Sequence, residues 1–309
     1  MRRLRTVFFG SSAFAVPSLK ALAAQHDLLC VYSQPDRPAG RGLKLRSTPV
    51  KETALQLQLS VATPERLNAD FVAEVKELRP DLLACAAYGK ILPAALLGVP
   101  ALGALNVHPS LLPAYRGATP IQAALRDGAT VSGVTIVWMS SALDAGDIAL
   151  QCSLPIGPHD NYGRLHDKLA EAGAELLREA AERLAGGVLP RAAQDASAAT
   201  YTRALSKDEL RLDFGRGALE LVNLVRSASP SPGAWTSLDG QRLKVLEAKV
   251  EQVAGATPPG RLARIDAAGP VIAAADGGLL LLRVVPEGKP PMSGAQFARA
   301  LRARPDAQP

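Results

Sequence analysis

Asn106 and His108 stand two residues apart in the run ALNVHP (104–109), which has the apolar character of a buried strand. Alternation along a strand places both side chains on the same side. Pro109 keeps the preceding histidine extended, which helps the chain to turn out of the sheet. An amide donor beside an imidazole is suited to stabilising an oxyanion and to moving a proton.

An acid that could complete such a site is Asp144, in the turn LDAGD (143–147) between two strand-like runs. An aspartate before small residues commonly bonds to its own backbone in an Asx-turn, and a lone histidine is more often structural than catalytic. Spacing alone does not pair Asp144 with His108. Ligands of open α/β sheets bind at the carboxyl ends of strands, so the three residues are candidates for one site.

The segments around these residues alternate between strand-like and helix-like patterns. An unbroken apolar run at 81–88 is typical of a strand that is covered on both faces. The alternation predicts an α/β fold with a doubly wound, mainly parallel, Rossmann-like sheet. Strands are predicted at 6–10, 27–34, 81–88, 103–108, 132–139 and 147–156, and helices at 16–24, 49–59, 64–78, 120–126 and 161–184.

The pattern changes after Gly186-Gly187. We predict a catalytic domain at 1–188, a linker at 189–206 that crosses over this domain, and a C-terminal domain at 207–309. A helix at 218–227 precedes short β-prone runs that are separated by turn signals, which favours a five-stranded OB-like barrel. The runs are 234–238, 243–251, 260–265, 270–276 and 279–285.

Composition excludes several classes of protein. The chain has 309 residues and a net charge of +6, which permits an anionic partner without requiring one. No apolar run reaches the ~18–20 residues of a membrane span, and the N-terminus lacks a signal-peptide pattern, so a cytoplasmic protein is expected. We predict Cys30, Cys85 and Cys152 to be buried without a metal or catalytic role. Neither a P-loop nor a dinucleotide fingerprint occurs.

Three stretches together resemble the 10-formyltetrahydrofolate-dependent formyltransferases. They are NVHPSLLP (106–113) with RG (116–117) and PI (120–121), GVT (133–135) with LDAGDI (143–148), and YGKILP (88–93). The resemblance implies that Asn106, His108 and Asp144 form a catalytic trio, without a metal or a covalent enzyme intermediate. It implies a cis peptide bond before Pro113. It also implies that the folate is held by Tyr88, Gly89, Lys90, Ile91, Leu92, Ser110, Leu111, Leu112 and Pro113.

The acceptor is indicated by the stretch QPDRPAGRG (34–42), which resembles a loop that one branch of the family uses to probe initiator tRNA. Residues 34–51 carry five basic groups and one acid, a local net charge of +4, which suits a phosphate backbone. The resemblance implies formylation of the amino group of methionyl-initiator tRNA. We expect a monomer without a membrane partner. The expected tRNA contacts are Arg37, Arg41, Lys44, Arg46 and Lys207.

Two other hypotheses remain. One is a sister enzyme that formylates an amino sugar nucleotide with the same trio, and the other is an RNA-binding protein without catalysis on this scaffold. The basic loop and β-rich C-terminal part argue against the first, and the intact trio argues against the second. The chain departs from the family pattern at Gly10-Ser11-Ser12, where Gly-Thr-Pro is typical, and at 229–232, where Ser-Pro-Ser-Pro replaces Asn-Pro-Trp-Pro.

Overall fold

The computed structural model describes residues 2–39, 44–238, 240–253, 255 and 257–302. The chain forms two compact units. Unit 1 comprises Met1–Pro120, Val131–Pro155 and His166–Thr202, and unit 2 comprises Ile121–Thr130, Ile156–Leu165 and Arg203–Pro309. Residues 189–202, which were predicted to be part of a linker, lie in unit 1.

The part of the chain through residue 202 alternates strands and helices. Its strands are β1 (Arg5–Gly10), β2 (Asp27–Tyr32), β3 (Arg37–Ala39), β4 (Lys44–Arg46), β5 (Val61–Ala62), β6 (Leu82–Ala86), β7 (Ala104–His108), β8 (Arg116–Gly117), β9 (Val131–Trp138), β10 (Ile148–Pro155) and β11 (Tyr201–Thr202). Its helices are α1 (Val16–Gln25), α2 (Pro49–Gln56), α3 (Ala69–Glu77), α4 (Ala94–Leu97), α5 (Pro120–Arg126) and α6 (Tyr162–Ala185).

Seven of these strands form one sheet in the order β10-β9-β7-β6-β1-β2-β5. The strands from β7 to β5 are parallel to their neighbours, whereas β9 and β10 run antiparallel. This arrangement confirms the predicted doubly wound, mainly parallel sheet. The β9–β10 hairpin is antiparallel, and its strand β9 runs opposite to β7, so that Trp138 lies across from Leu105 and Thr135 across from His108.

Side-chain caps set two helix starts. Asn68 accepts a hydrogen bond from the Phe71 N–H at 3.1 Å, so α3 begins at Ala69 and the predicted helix at 64–78 was too long at its N-terminus. Thr48 caps α2 in the same way through the Lys51 N–H, with Pro49 in the first turn. The helix predicted at 49–59 ends at Gln56, because the chain enters the left-handed region at Gln58.

The core of unit 1 contains an aromatic cluster. Phe9 stacks on Tyr32 with ring centroids 4.7 Å apart and meets Phe71 and Tyr88 edge to face. Cys85 belongs to this cluster and is buried, as predicted. Cys30 and Cys152 are only partly buried, because each lies on a strand near an edge of the sheet, so that prediction was wrong for them.

Unit 2 is built on an antiparallel sheet, which confirms the predicted C-terminal β domain. The strand order is β12-β13-β16-β15-β14, and β17 pairs with β16. The face of α7 that carries Leu221 and Val225 packs with Leu243 and Leu281 in one apolar core. The elements are α7 (Ala218–Ala228), β12 (Ala234–Leu238), β13 (Gln241–Glu251), β14 (Leu262–Ile265), β15 (Pro270–Ala274), β16 (Gly277–Pro286), β17 (Met292–Ser293) and α8 (Gly294–Arg302).

None of the helices in the described part of the chain has the length and apolar character needed to cross a membrane.

Candidate active site

Asn106 and His108 lie on β7, between the parallel strand β6 and the antiparallel strand β9. Across the sheet, Asn106 is opposite Cys85 and Val137, and His108 is opposite Thr135. Within the described residues, no hydrogen bond engages the Asn106 side-chain amide, which is partly exposed. Its two N–H donors are therefore available to a ligand at this edge of the sheet.

Asp144 lies in the loop that joins β9 to β10, and its backbone adopts a left-handed conformation with φ of 49°. Its Oδ2 atom accepts a hydrogen bond from the Gly117 N–H at 2.8 Å, and its Oδ1 atom lies 3.6 Å from Nδ1 of His108. The prediction that these two side chains meet is confirmed. The loop is tight, since a Cβ atom at Gly146 would overlap the Trp138 carbonyl oxygen.

The imidazole of His108 is almost fully buried, with 4% of its side chain exposed. Its Nε2 atom lies 3.0 Å from the Tyr115 carbonyl oxygen, which can only accept, so Nε2 carries a hydrogen. Burial lowers the pKa of His108 below its ordinary value, although the Asp144 carboxylate and the Tyr115 carbonyl act to raise it. At neutral pH the ring is thus uncharged, and Nδ1, which faces Asp144, is the atom that can take up a proton.

Thr135 on β9 fixes the loop that follows His108. Its hydroxyl donates to the Ser110 carbonyl oxygen at 2.7 Å and accepts from the Leu112 N–H at 3.1 Å. The Gln151 side-chain amide donates both to this hydroxyl and to the Leu112 carbonyl oxygen, each at 2.8 Å. These bonds fix the backbone of the loop at Ser110 and Leu112, and the predicted cis peptide bond before Pro113 is confirmed.

The loop residues that were predicted to hold folate form two groups: some are buried and support the loop, and others are partly exposed. Ser110 and Leu112 are buried, and the Ser110 hydroxyl donates to the Ala114 carbonyl oxygen at 2.6 Å. Leu111 and Pro113 are partly exposed. The side chain of Leu111 fills the space where Gly133 has no Cβ atom, which explains the glycine of the GVT motif.

A second predicted folate segment runs from Tyr88 to Leu92. Tyr88 and Leu92 are buried and anchor it, whereas Ile91 is 82% exposed. Gly89 has φ of 87° and nothing within 4 Å of a Cβ position, so the backbone there faces open space. The Lys90 ammonium donates to the carbonyl oxygens of residues 64 and 65 at 3.3 and 2.7 Å, so it ties the segment to its neighbour.

Ser11, one of the departures from the family pattern, supports this second segment. Its hydroxyl donates to the Tyr88 carbonyl oxygen at 2.8 Å and accepts from the Gln34 N–H at 3.2 Å. The hydroxyl thereby connects the carboxyl ends of β1, β2 and β6. A threonine at this position carries the same hydroxyl, so the departure preserves the polar group that joins the strands.

A group of residues between 190 and 202 that was not predicted from the sequence contacts the site. Thr200 accepts a hydrogen bond at its hydroxyl from the Tyr115 N–H at 2.7 Å, and its carbonyl oxygen accepts from the Arg116 N–H at 2.8 Å. Strand β11 pairs with β8 in parallel, so Thr202 lies opposite Gly117. Gln194 bonds to Arg116 and to the Asp144 loop. Nothing in the spacing of these polar residues indicated that they contact the site.

The basic residues predicted to bind tRNA are dispersed. Arg37 on β3 and Arg46 on β4 lie opposite each other in a two-stranded hairpin. Lys44 is also on β4, and Arg41 lies outside the described residues. Lys207 lies in unit 2, where its carbonyl oxygen accepts from Trp235 Nε1 at 2.9 Å.

The one acid of the basic loop is already paired. Lys51 lies 2.9 Å from the Asp36 carboxylate, and this ammonium holds the pKa of Asp36 below its usual range. Among the described residues, neither Arg37 nor Arg46 has an ion pair or a side-chain hydrogen bond. The hairpin therefore presents two uncompensated guanidinium groups side by side.

The described part of the chain holds no cluster of three or more histidine, cysteine or acidic side chains that could bind a metal ion.

Comparison with known proteins places this geometry in context. Residues 4–181 match the family model described as formyl transferase, and residues 204–302 match that of the formyl transferase C-terminal domain. The chain is 46% identical over 290 residues to the methionyl-tRNA formyltransferase of Ectopseudomonas mendocina (strain ymp), covering 93% of this chain and 92% of that protein. It is 42% identical over 296 residues to the methionyl-tRNA formyltransferase of Moorella thermoacetica, covering 95% of each.

A solved structure with a similar fold is the N-formyltransferase of Helicobacter canadensis in complex with folinic acid and dTDP-3-aminofucose. It superposes with a TM-score of 0.68 and covers 90% of this chain and 98% of that one, at 18% sequence identity. At this identity the likeness shows a shared fold.

Proposed function

The chain belongs to the formyl transferase family, and we propose that it transfers the formyl group of 10-formyltetrahydrofolate to the α-amino group of methionyl-initiator tRNA. The observation that carries the proposal is the 3.6 Å distance between Nδ1 of His108 and Oδ1 of Asp144. His108 lies on β7, the strand that also carries the free side-chain amide of Asn106. This arrangement combines a proton acceptor with hydrogen-bond donors for a developing oxyanion.

The folate segments offer apolar side chains and accessible backbone to the ring system of a folate. Ile91 exposes an apolar side chain, and the backbone at Gly89 faces open space. Tyr88 and Leu92 hold that segment in place, and Leu111 lies on the neighbouring loop. We assign Ile91, Gly89, Leu111 and Pro113 to direct contact, and Tyr88, Lys90, Leu92, Ser110 and Leu112 to support of the contacting loops. When bound, 10-formyltetrahydrofolate supplies an activated formyl group.

Asn106 stabilises charge in this scheme. Its side-chain N–H groups point from the same face of β7 as His108 and have no partner among the described residues. They donate to the formyl oxygen as it gains negative charge on attack by the amine. A donor of this kind typically contributes ~10²–10³ in rate.

His108 handles the proton that the attacking amine must lose and that N10 of the folate must gain, as the bond between N10 and the formyl carbon breaks and tetrahydrofolate leaves. Its Nε2–H stays on the Tyr115 carbonyl, so the proton is accepted at Nδ1, directly or through one water. The Asp144 carboxylate next to Nδ1 stabilises the imidazolium that results. Because Asp144 is held by the Gly117 N–H through its other oxygen, it orients the ring without leaving its own position.

For the acceptor, we assign the tRNA contacts to Arg37, Arg41, Lys44, Arg46 and Lys207. The two arginines on β3 and β4 present unpaired positive charge, which suits the phosphates of an acceptor stem. In this scheme residues 1–188 carry the catalytic trio, residues 189–202 support the site from within unit 1, and residues 207–309 contribute to tRNA binding. The similarity to methionyl-tRNA formyltransferases extends across both parts of the chain.

An amino sugar nucleotide is the alternative acceptor. The N-formyltransferase of Helicobacter canadensis, which was solved with dTDP-3-aminofucose, shares the fold at 18% identity, whereas the methionyl-tRNA formyltransferases share 42–46% over more than nine-tenths of the chain. An RNA-binding protein without catalysis has no need for the conjunction of Asn106, His108 and Asp144. Both alternatives are therefore less well supported than formylation of methionyl-tRNA.

One assay tests the proposal. The chain is incubated with 10-formyltetrahydrofolate that carries a labelled formyl group, together with methionyl-initiator tRNA, uncharged initiator tRNA or an amino sugar nucleotide. We expect label only on methionyl-tRNA, and its loss in the His108→Ala variant. Label on the sugar nucleotide alone would establish the sister activity. Binding of tRNA without any transfer would establish the RNA-binding alternative.

A further inference from the structure

We propose that Gln194 is a positioning residue for the reaction, because it clamps the backbone of Asp144 and thereby sets the distance between Asp144 and His108. The inference rests on the proposed function, since it assigns a role within the same site. Gln194 lies between α6 and β11, in a stretch that has little regular secondary structure. It nevertheless belongs to unit 1, together with the trio.

The Gln194 side chain uses its whole hydrogen-bonding capacity at this site. Its Nε2 donates to the Asp144 carbonyl oxygen at 2.8 Å and to the Gly146 carbonyl oxygen at 2.7 Å. Its Oε1 accepts from Nε and a terminal nitrogen of Arg116 at 3.1 and 2.7 Å. A primary amide has two N–H donors and two acceptor positions, and all four are satisfied.

The orientation of this amide is fixed by chemistry. Exchange of its nitrogen and oxygen would aim N–H groups at the Arg116 guanidinium, which can only donate, and an oxygen at two carbonyl oxygens, which can only accept. All four contacts would then be repulsive. A carboxylate cannot replace the amide here either, because it has no donor for Asp144 and Gly146.

The clamp acts at a point where the backbone needs support. Asp144 has φ of 49°, a conformation that a residue with a side chain rarely adopts unless its surroundings hold it there. Gln194 holds the carbonyl that follows this φ, and Gly117 holds the side chain. The backbone and the side chain of Asp144 are therefore both held in place, which keeps its Oδ1 atom beside Nδ1 of His108.

Arg116 provides a rigid anchor for the clamp. The residue is 4% exposed, and its second terminal nitrogen donates to the Tyr201 hydroxyl at 3.1 Å. Its guanidinium also lies 5.8 Å from the centre of the Tyr201 ring. Gln194 thus joins the loop after β7 to the loop after β9, the two loops whose relative position determines the His108–Asp144 distance.

A displacement of Asp144 by about 1 Å is enough to lower a reaction that depends on proton transfer ~10²-fold. The test therefore uses Gln194→Glu, which keeps an acceptor for Arg116 and loses both donors to the Asp144 loop. We expect kcat to fall ~10²-fold, while KM for folate and for methionyl-tRNA changes less than about twofold. The exposed Gln56 on α2 supplies the matched control, and Gln56→Glu is expected to keep the wild-type kcat.

A purely structural role is separated from positioning by a double-mutant cycle. In the wild-type enzyme, Asp144→Asn removes a carboxylate that is correctly positioned beside His108. In Gln194→Glu the carboxylate is already displaced, so the factor by which Asp144→Asn lowers kcat should be at least tenfold smaller. Equal losses in both backgrounds, or a wild-type kcat in Gln194→Glu, would overturn the proposal. The melting temperature of Gln194→Glu is expected to fall by a few degrees and to stay above the assay temperature, so that kcat is measured on folded enzyme.

An NMR titration tests the clamp independently of activity. In Gln194→Met the His108 ring loses the nearby carboxylate that raises its pKa, so the pKa of His108 should fall relative to the wild type. The signal is assigned by its absence in His108→Asn. This readout needs no formyl acceptor, so an unchanged pKa refutes the clamp even where the wild type formylates methionyl-tRNA. A lowered pKa in a protein that transfers no formyl group would leave the clamp standing and remove the proposed function.

Discussion

The Nε2 atom of His108 donates to the Tyr115 carbonyl oxygen at 3.0 Å, seven residues further along the chain. Since that nitrogen keeps its hydrogen, proton exchange is confined to Nδ1, the atom that faces Asp144. The loop after β7 thus sets the tautomer of the histidine, and the loop after β9 supplies the charge beside it. Each of these relationships has a consequence that solution experiments can measure.

The pH dependence of kcat follows from the burial of His108. Burial lowers the pKa of His108 below 6.5, so the neutral, proton-accepting ring persists to lower pH than that of an exposed histidine. We expect kcat to decrease only when the pH falls through the lowered pKa of His108. The measurement is kcat from pH 5 to 8 with both substrates saturating. An acid limb centred above pH 6.5 would contradict the assignment of His108 as the neutral base.

Asp144→Asn isolates the charge of the carboxylate. The asparagine side chain retains an oxygen that can accept from the Gly117 N–H, so the loop should keep its conformation. The imidazolium loses its counter-charge, and we expect kcat to fall ~10²- to 10⁴-fold with little change in KM for folate. Asp147→Asn, in the same loop, is the matched control because its side chain makes no described contact with His108. Equal effects of the two substitutions would argue against a specific role for Asp144.

Thr135→Val tests the buried support of the folate loop. Valine has nearly the same shape but lacks the hydroxyl that bonds to Ser110, Leu112 and Gln151. We expect the free energy of unfolding to fall by about 1–3 kcal/mol, since buried polar groups lose their partner. We also expect KM for 10-formyltetrahydrofolate to rise, because the loop that contacts the folate loses its support. Urea unfolding and steady-state kinetics measure both, and Thr135→Ser, which keeps the hydroxyl, should restore most of each.

The sequence predicted the parts of the site that local pattern determines. Alternation along β7 predicted Asn106 and His108 on one face, and the alternation of strands and helices predicted a mainly parallel sheet. The structure agrees on both points. Helix α5 begins at Pro120 and ends at Arg126, as predicted. These features depend on residues that are neighbours in sequence or on a repeating pattern.

The clamp on Asp144 could not be predicted in the same way. Gln194 is 50 residues beyond Asp144 and 78 beyond Arg116, in a stretch without apolar periodicity. Its role depends on a left-handed residue at 144 and on a buried guanidinium, neither of which the sequence reveals. Long-range hydrogen bonds between irregular segments leave no periodic signal, so they become visible only when the fold brings the segments together.

The hairpin formed by β3 and β4 carries a charge arrangement that is unfavourable for the chain alone. Arg37 and Arg46 lie directly opposite each other, and like charges in this relationship destabilise a strand pair. A polyanion placed against the hairpin would relieve this repulsion. The pair is therefore better explained by a phosphate backbone than by the stability of the hairpin, and this explanation can be tested through salt.

We expect Arg37→Ala and Arg46→Ala to lower kcat/KM for methionyl-tRNA while leaving KM for folate unchanged, because each removes a contact with phosphate. Each should also make the slope of log kcat/KM against log salt shallower by about 0.7–0.9, the effect of one lost phosphate contact. Arg41→Ala, outside the described residues, is predicted to behave in the same way. Lys76→Ala removes an exposed cation from α3 and is the charge-matched control, with the wild-type slope expected. If all four variants showed the wild-type slope, the hairpin would have no part in tRNA binding, and an acceptor without a phosphate backbone would gain support.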